Sequence, residues 1–276
     1  KPLGAIEARE PARASPPAAL AEARKPERPA ILTPAKLAGA VRAPLPATLG
    51  PQLATLVKGA PPPGDWIYEI KFDGYRIMTR IERGKARLIT RGGHDWTAKM
   101  APLAAELESL GLTSAWLDGE AVVIDDKGTT NFNLLQNAFD TARTGSIAYF
   151  LFDVPFCDGY DLRRAPLHTR RALVRQIVES KPLARVRFSA DFPGDAATVL
   201  ASACAMKLEG VIAKQRTAPY VSSRSTTWLK LKCGERQEFV VVGFTDRAGA
   251  PGEVGALLLG YHENGKLRFA GSVGTG

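Results

Sequence analysis

Residues 66–81 read WIYEIKFDGYRIMTRI, and this stretch holds two short apolar runs on either side of an Asp-Gly pair. β-Branched and aromatic residues are common in both runs, which predicts strands over Trp66–Lys71 and Tyr75–Ile81. Asp73-Gly74 is a typical turn pair, so the lysine that ends the first strand should lie at the edge of a sheet, next to the turn. The stretch therefore predicts β-structure and one amine presented beside a turn.

Further strands and helices follow this stretch along the chain. The additional predicted strands are Ala86–Thr90, Trp116–Ile124, Ala148–Phe152, Val211–Lys214, Trp228–Leu231, Phe239–Phe244, Ala256–Tyr261 and Leu267–Ala270. The predicted helices are Ala98–Leu110, Phe132–Phe139, Thr169–Glu179 and Asp195–Lys207. Helices separate only some of the strands, which favours an α+β fold with a mostly antiparallel sheet over a doubly wound parallel sheet.

The N-terminal region differs in composition from the rest of the chain. Thirteen of the 20 prolines precede Trp66, which is the first aromatic residue. Such a segment buries too little apolar surface to offset its ordering entropy. We therefore predict that residues 1–43 are a disordered Ala/Pro-rich linker, and that residues 44–63 dock on the folded part as an edge segment.

Two further regions follow the linker. Residues 44–234 are predicted to form the main α+β domain. Residues 235–276 show only strand and turn signals, with Asn264-Gly265 as a hairpin turn, and should begin a separate all-β domain. Because the chain begins with Lys1 and this last domain has too few strands to close a barrel, we expect a piece of a longer protein.

Charge and cysteine content limit the class of protein. The 276 residues carry 37 Lys plus Arg and 28 Asp plus Glu, a net charge of +9, which fits a polyanionic partner or a solvated basic face. No stretch reaches the roughly 18 uncharged apolar residues of a membrane helix. Cys157, Cys204 and Cys233 are far apart and odd in number, which predicts reduced intracellular thiols rather than a disulfide framework or a zinc site.

Lys71 is the candidate nucleophile. A lysine amine attacks only when it is deprotonated, and its reference pKa is ~10.4, so an activating site is required. Glu120 and Glu209 each stand just ahead of an apolar strand, and Lys230 and Lys232 share one strand face, where they could bind a phosphate. Each feature alone also fits an exposed strand edge, so the functional interpretation depends on their combination.

In this order, the motifs resemble the covalent nucleotidyltransferase superfamily, which includes ATP-dependent DNA ligases, RNA ligases and mRNA capping enzymes. The matching series is Lys71-x-Asp73-Gly-x-Arg76, Asp118-Gly-Glu120, Phe152-Asp153, Glu209-Gly-Val-Ile-Ala-Lys214 and Trp228-Leu-Lys230-Leu-Lys232. The flanking stretches 90–97, 150–155 and 237–244 are similar to the ligase domain of bacterial ligase D. The resemblance implies an adenylation domain over 44–234, followed over 235–276 by the truncated beginning of an OB-fold β-barrel.

The resemblance also implies how ATP is bound. Lys71 would attack the α-phosphate and carry AMP as a phosphoamide. The implied nucleotide-binding residues are Glu69, Ile70, Arg76, Glu120, Phe152, Ile212, Lys230 and Lys232. Among them, Glu69 would read the adenine amino group and Glu120 the ribose hydroxyl. The purine would lie between Phe152 and Ile212, an arrangement that suits a flat ring.

Metal and DNA contacts are implied in the same way. Glu209, together with Glu120, would bind Mg²⁺ or Mn²⁺, while Lys230 and Lys232 would neutralise the α-phosphate in the transition state. Arg91 and Arg76 would hold the 5′-phosphate of a nick. Gly92 stands where such ligases usually have Asn, a departure that could alter nick binding. The implied role of Asp73 is to orient the loop of the nucleophile.

The implied activity is that of an ATP-dependent DNA ligase core. Lys71 would be adenylated, AMP would pass to a DNA 5′-phosphate, and the 3′-hydroxyl would seal the strand. The implied setting is double-strand break repair by non-homologous end joining. The implied substrate is nicked or broken double-stranded DNA, and the implied partners are Ku and fused polymerase and nuclease domains. The chain would act as a monomer in the bacterial cytoplasm near the nucleoid.

Two alternatives stay open at this point. An RNA ligase or a capping-type nucleotidyltransferase shares the motif series, and a non-catalytic DNA-binding module would bind a nick without covalent nucleotide. In the family, the OB domain ends with a basic motif that orients the β- and γ-phosphates. Because the chain stops before that motif, we expect weaker self-adenylation than in a C-terminally extended chain.

Overall fold

The computed structural model describes residues 32–125, 128, 130–141, 143–233 and 239–274. The strands are β1 Val41–Arg42, β2 Leu53–Leu56, β3 Trp66–Ile70, β4 Tyr75–Glu82, β5 Lys85–Thr90, β6 Ser114–Val123, β7 Ile147–Cys157, β8 Tyr160–Asp161, β9 Val186–Phe188, β10 Asp191–Phe192, β11 Gly210–Gln215, β12 Arg224–Lys232, β13 Val240–Arg247, β14 Ala250–Glu263 and β15 Lys266–Gly274. The α-helices are α1 Ala101–Glu108, α2 Phe132–Asp140, α3 Leu167–Glu179 and α4 Ala196–Ala205. Each predicted strand and helix is present, and the predicted α+β class is confirmed.

The strands form three sheets. The first has the order β1-β8-β7-β6-β4-β5, with β9 paired to β7, and the second has the order β10-β3-β11-β12-β2. All these pairs are antiparallel except β7 with β9 and β12 with β2. Because β3 belongs to the second sheet and β4 to the first, the turn at residues 71–74 crosses from one sheet to the other. That crossing positions the candidate nucleophile between the sheets.

An apolar cluster joins the two large sheets. Ile67 and Trp228 of the second sheet pack with Met78, Trp116 and Phe152 of the first. On their other faces, α1 and α3 cover the first sheet and α4 covers the second. Both sheets are therefore held between a shared apolar layer and covering helices, which makes them rigid walls for a site between them.

The N-terminal part of the described chain differs from the predicted linker. Residues 1–31 lie outside the described residues, but Leu37 is buried in the core and β1 pairs with β8. The backbone N–H of Leu32 donates to Gln176 Oε1 at 2.7 Å, and Gln176 Nε2 donates back to the Leu32 carbonyl at 2.9 Å. The folded unit therefore begins before residue 44. The following segment does dock at an edge, as β2.

The cysteine prediction was wrong for two of the three residues. Cys204 and Cys233 form a disulfide, whereas Cys157 is free and buried. The physical reason is strand register: β11 pairs with β12 so that Gly210 lies opposite Lys232. This register places the residue after β12 beside the end of α4, which spacing along the chain alone does not reveal.

The third sheet contains β13, β14 and β15 in that order. Asn264 and Gly265 have positive φ angles of 49° and 74°, so the predicted hairpin turn between β14 and β15 is confirmed. The OB-fold assignment for this region stays a prediction. Among the described helices, none combines the length and apolar character that spanning a membrane requires.

Candidate functional site

A cavity opens between the two large sheets. Its lining residues are Leu53, Ala54, Glu69, Ile70, Lys71, Phe72, Arg76, Arg91, Glu120, Phe152, Ile212, Lys214, Arg224, Trp228 and Lys230. Of the site residues expected from the sequence, Glu209 and Lys232 lie outside this set. Together with Asp73 they line a depression beside Lys71. The structure therefore brings the expected residues together from distant parts of the chain.

Backbone contacts fix the position of Lys71. Its N–H donates to the carbonyl of Gly210 at 2.9 Å, and the neighbouring Phe72 stacks on Phe150 with 4.4 Å between ring centroids. A Cβ at Gly74 would lie 2.2 Å from the backbone oxygen of Ala121, so only glycine permits β4 to begin this close to β6. The turn therefore holds the lysine at the cavity wall.

Glu209 lies between two lysines. One carboxylate oxygen forms an ion pair with Lys71 Nζ, and the other is 3.2 Å from Lys232 Nζ. Gly210 has a φ of 148°, and a Cβ there would lie 2.1 Å from the Leu231 carbonyl oxygen. This close strand crossing requires glycine and places Glu209 beside the end of β12.

The wall formed by β12 is cationic. The pKa of Lys230 is lowered by burial and then by the charges of Arg224, Lys232 and Lys71. Arg224 Nη1 donates to the carbonyl of Ala54 at 2.7 Å, which fixes the guanidinium at the cavity edge. Several cations at one wall repel each other unless an anion lies among them, so this wall favours binding of a phosphate.

Glu120 is the acidic residue of the cavity interior. It lies opposite Arg76 of β4 and Phe150 of β7 in the sheet register. Burial raises its pKa to about 7, although the charges of Arg76 and Lys71 oppose this shift. Its carboxyl group can therefore exist in both protonated and ionised forms near neutral pH.

Arg76 is held by a bidentate ion pair with Asp118. Nε is 2.5 Å from Oδ1 and Nη2 is 2.7 Å from Oδ2, while Nη2 also donates to the carbonyl of Gln52 at 3.0 Å. Burial would lower the pKa of Arg76, but the Asp118 carboxylate outweighs burial and raises it. The guanidinium carbon lies 4.6 Å from the Phe152 ring centroid. The arginine is therefore a fixed cation of the cavity wall.

Lys214 lies at the aromatic end of the cavity. Its Nζ is 4.0 Å from the ring centroid of Phe152 and 4.2 Å from that of Trp228. Burial lowers its pKa to about 8, opposed by the charge of Glu69, whose Oε1 is 2.6 Å away. Ile212, two residues earlier on β11, lies directly opposite Glu69 in the register. An apolar and aromatic slot with one carboxylate therefore forms this end.

Arg91 marks the cavity mouth. It is exposed, follows the last residue of β5, and its backbone N–H donates to the Arg76 carbonyl at 3.2 Å. The adjacent Gly92 is exposed as well. This position leaves the Arg91 guanidinium accessible to a large ligand outside the cavity.

Among the polar and aromatic residues at the cavity that received no role from the sequence are Asp118, Lys214, Arg224 and Trp228. Strand alternation could have indicated two of them, because residues two apart on a strand share a face. Lys214 shares a face with the predicted residue Ile212, and Trp228 shares one with the predicted residue Lys230. Asp118 offered no such signal, since its role depends on pairing with Arg76 across the sheet.

The described residues contain no cluster of three or more His, Cys, Asp or Glu side chains suited to a metal ion. The cavity nevertheless has the carboxylates of Glu120 and, at its edge, Glu209. Mg²⁺ is usually bound by one or two carboxylates together with substrate phosphates and water. The donor set therefore fits a hard divalent cation that is brought in with a nucleotide.

Comparison with known proteins agrees with this geometry. Residues 51–232 match the model of the ATP dependent DNA ligase domain family. The multifunctional non-homologous end joining protein LigD of Pseudomonas aeruginosa is 49% identical over 238 residues, covering 85% of this chain and 28% of that protein. The corresponding Mycobacterium tuberculosis protein is 37% identical over 234 residues, covering 83% and 30%. The chain thus spans less than a third of these relatives.

Solved structures give the same result. A mycobacterial DNA ligase D complexed with ATP and MES has a TM-score of 0.62 and 35% identity, covering 82% of this chain and 72% of that chain. The ligase domain of LigD from M. tuberculosis has a TM-score of 0.61 and 35% identity, covering 83% and 73%. The motif series, the cavity and these matches together show that this chain belongs to the ATP-dependent DNA ligase family.

Proposed function

We propose that this chain is the catalytic unit of an ATP-dependent DNA ligase that acts through a lysyl-AMP intermediate. The observation that carries the proposal is the placement of Lys71 between Glu209 and a cavity that has an aromatic and apolar slot at one end and cations along one wall. A lysine in this setting is suited to attack a bound nucleoside triphosphate. An ordinary surface lysine before a hairpin would not require a carboxylate, an aromatic slot and a cationic wall around it.

In the first step, the neutral Lys71 amine, which has lost its ammonium proton to solvent, attacks the α-phosphorus of ATP. A P–N bond forms, the bond from the α-phosphorus to the bridging oxygen breaks so that pyrophosphate leaves, and the nitrogen releases a second proton to solvent. The adenine lies between Phe152 and Ile212, and Ile70 contributes to the cavity lining. Lys230 and Lys232 stabilise the charge that develops on the phosphate oxygens, because fixed cations act most strongly in a partly water-excluded site. Asp73, beside the lysine, orients its loop.

Glu209 and Glu120 would hold the divalent cation, Mg²⁺ or Mn²⁺, whose chemistry is to neutralise the phosphates during transfer. Glu120 also accepts a hydrogen bond from the ribose, and Arg76 contacts the sugar or the phosphate. Holding a cation would compete with the ion pairs that Glu209 forms with Lys71 and Lys232. Those lysines then become available to the nucleotide phosphates.

The later steps take place on DNA. AMP passes from Lys71 to a 5′-phosphate, and a 3′-hydroxyl displaces AMP to join the strand. Arg91 at the cavity mouth, with Arg76 behind it, binds the 5′-phosphate. The basic net charge of +9 adds salt-dependent attraction to duplex DNA.

The biological setting is part of the proposal. The relatives are named as multifunctional non-homologous end joining proteins. We infer that this chain, as a monomer near the bacterial nucleoid, joins broken or nicked double-stranded DNA, with Ku and with polymerase and nuclease domains as partners. Within it, residues 44–234 would be the adenylation domain and residues 235–276 the first strands of an OB fold.

Covalent labelling tests the proposal. The chain is incubated with α-labelled ATP and Mg²⁺ or Mn²⁺ and analysed by denaturing electrophoresis. We expect a labelled band that disappears in Lys71→Ala and persists in Lys85→Ala, an exposed lysine outside the cavity. A label that survives Lys71→Ala, or that comes from GTP but not ATP, would overturn the assignment. Nick binding with no label would favour a non-catalytic module.

A further inference from the structure

The Glu69 carboxylate is held by residues that lie behind the cavity. Its side chain is 2% exposed, and Oε2 accepts a hydrogen bond from the hydroxyl of Ser189 at 2.7 Å. Oε1 is 2.6 Å from Arg171 Nη1 and also 2.6 Å from Lys214 Nζ. Donors from α3, from β11 and from the segment after β9 therefore surround one buried carboxylate.

The carboxylate keeps acceptor capacity toward the cavity. Among the described residues, Glu69 Oε1 and Arg171 Nη1 are buried atoms without a well-aligned hydrogen bond, although they form a close ion pair. A carboxylate has about four acceptor positions. Because Glu69 also lines the cavity, an acceptor position remains for a donor on a bound ligand.

Arg171 reaches this carboxylate from α3, outside the cavity lining. Its Nη2 donates to the Ser189 carbonyl at 2.9 Å and to Asp191 Oδ1 at 3.1 Å, so one guanidinium connects Glu69 with the segment at residues 189–191. The guanidinium carbon also lies 4.8 Å from the ring centroid of Phe188. Arg171 and Ser189 thus form a buried frame, which we name the Glu69 clamp.

We propose that the Glu69 clamp, formed by Arg171 and Ser189, positions the Glu69 carboxylate as an acceptor for a purine amino group and so sets the preference for ATP over GTP. The proposal rests on the proposed function. An ionised carboxylate accepts from the 6-amino group of adenine, whereas the 6-oxo group of guanine or hypoxanthine would place two acceptors against each other. A fixed carboxylate rejects the oxo purine, while a loose one rotates away.

Arg171 and Ser189 are positioning residues, since neither lines the cavity. Lys214 lines the cavity and also contacts the aromatic slot, so changing it would disturb both the clamp and the nucleotide surface. Ser189 is therefore the cleaner test. Its hydroxyl contacts Glu69, and its backbone N–H keeps its own bond to the Leu151 carbonyl at 2.8 Å when the side chain changes.

The first test is Ser189→Ala. The rate of Lys71 labelling is measured against the concentration of ATP, GTP and inosine triphosphate, which lacks the amino group. Loss of one hydrogen bond to a buried charged group should raise KM for ATP by ~10-fold with kcat within ~2-fold. The ATP-to-inosine-triphosphate preference should fall by a similar factor. Ser180→Ala, which removes an exposed hydroxyl at the end of α3, should leave both values unchanged.

The second test changes Arg171. Arg171→Lys keeps the positive charge but loses the fork that joins Glu69 to Ser189, so we expect a partial loss of preference. Arg171→Met should reduce the preference by ~100-fold, because one partner of a buried ion pair is left alone. Arg175→Met, at an exposed position of the same helix, is the matched control. If Arg171→Met does not fold, Ser189→Ala and Arg171→Lys decide the matter.

The results separate this inference from the proposed function. Unchanged KM values and unchanged purine preference in Ser189→Ala and Arg171→Lys would overturn the Glu69 clamp while ligase chemistry stands. Absence of any Lys71 label from ATP in the unmodified chain would overturn the proposed function itself. A fall in kcat alone, with the preference intact, would also contradict a positioning role for the clamp.

Discussion

The two ends of the cavity hold their charges in different ways. At the aromatic end, the Glu69 side chain is 2% exposed, and serine, arginine and lysine side chains hold it. At the Lys71 end, Glu209 is 27% exposed and Lys232 is 50% exposed, and Glu209 pairs with both Lys71 and Lys232. Exposed pairs are weak and exchange readily, whereas buried ones are fixed. The difference suits a nucleotide enzyme that selects its base rigidly and changes phosphate contacts during reaction.

Removing a buried partner should have the largest effect on stability. Asp118 is fully buried, forms the bidentate pair with Arg76, and accepts a hydrogen bond from the Tyr220 hydroxyl at 2.7 Å. Asp118→Ala should lower the free energy of unfolding by about 3–5 kcal/mol, because it leaves a buried cation unpaired. Urea denaturation measures this change. Asp161→Ala, which breaks the partly exposed pair with Arg163, should cost much less.

A covalent link near the more exposed end should have the next largest effect. The disulfide of Cys204 and Cys233 spans 29 residues of chain and joins α4 to the end of β12. Replacing both cysteines with serine should cost about 2–4 kcal/mol, since the unfolded chain gains freedom. Thermal unfolding with and without a thiol reductant measures the effect. A reductant that lowers the Tm of the double variant as much as that of the unmodified chain would refute the link.

The pH dependence of stability tests Glu120, between the two ends. Burial raises its pKa from the usual 4.5 to about 7, so between these pH values the folded chain keeps a proton that the unfolded chain has lost. The stabilisation is complete below pH 4.5 and is lost as pH rises through 7. Between pH 5 and pH 8, unfolding free energy should fall by about 1–3 kcal/mol more in the unmodified chain than in Glu120→Gln. Equal pH profiles in nucleotide-free urea titrations would contradict the raised pKa.

Much of this cavity could be predicted because its main residues sit in short motifs on strands. Glu120 and Lys230 are placed by the strands that carry them, and Lys71 by the turn that follows β3. Strand alternation would have added Lys214. Arg171 and Ser189 could not be found, because they reach Glu69 from α3 and from the segment after β9, and no local pattern records that contact.

The domain boundary and the cysteines were mistaken for a related reason. Leu37 lies in a segment without aromatics, and its burial depends on a core whose other buried residues begin at Ile77. Cys204 and Cys233 meet through the register of β11 and β12. Composition and spacing describe neighbours along the chain, whereas both features arise from neighbours in space.

The smallest stability effect is expected at Glu209, where the comparison of the two ends is sharpest. Glu209→Gln removes ion pairs with Lys71 and Lys232, but because the group is partly exposed the unfolding free energy should change by less than about 1 kcal/mol. Labelling of Lys71 from ATP should nevertheless fall by about 100-fold, since the proposed cation ligand is lost. Denaturation and labelling of the same preparation measure both quantities. A large loss of stability in Glu209→Gln would contradict the weak, exchangeable pairing inferred for the Lys71 end. Labelling at the rate of the unmodified chain would contradict the proposed role of Glu209 as a cation ligand.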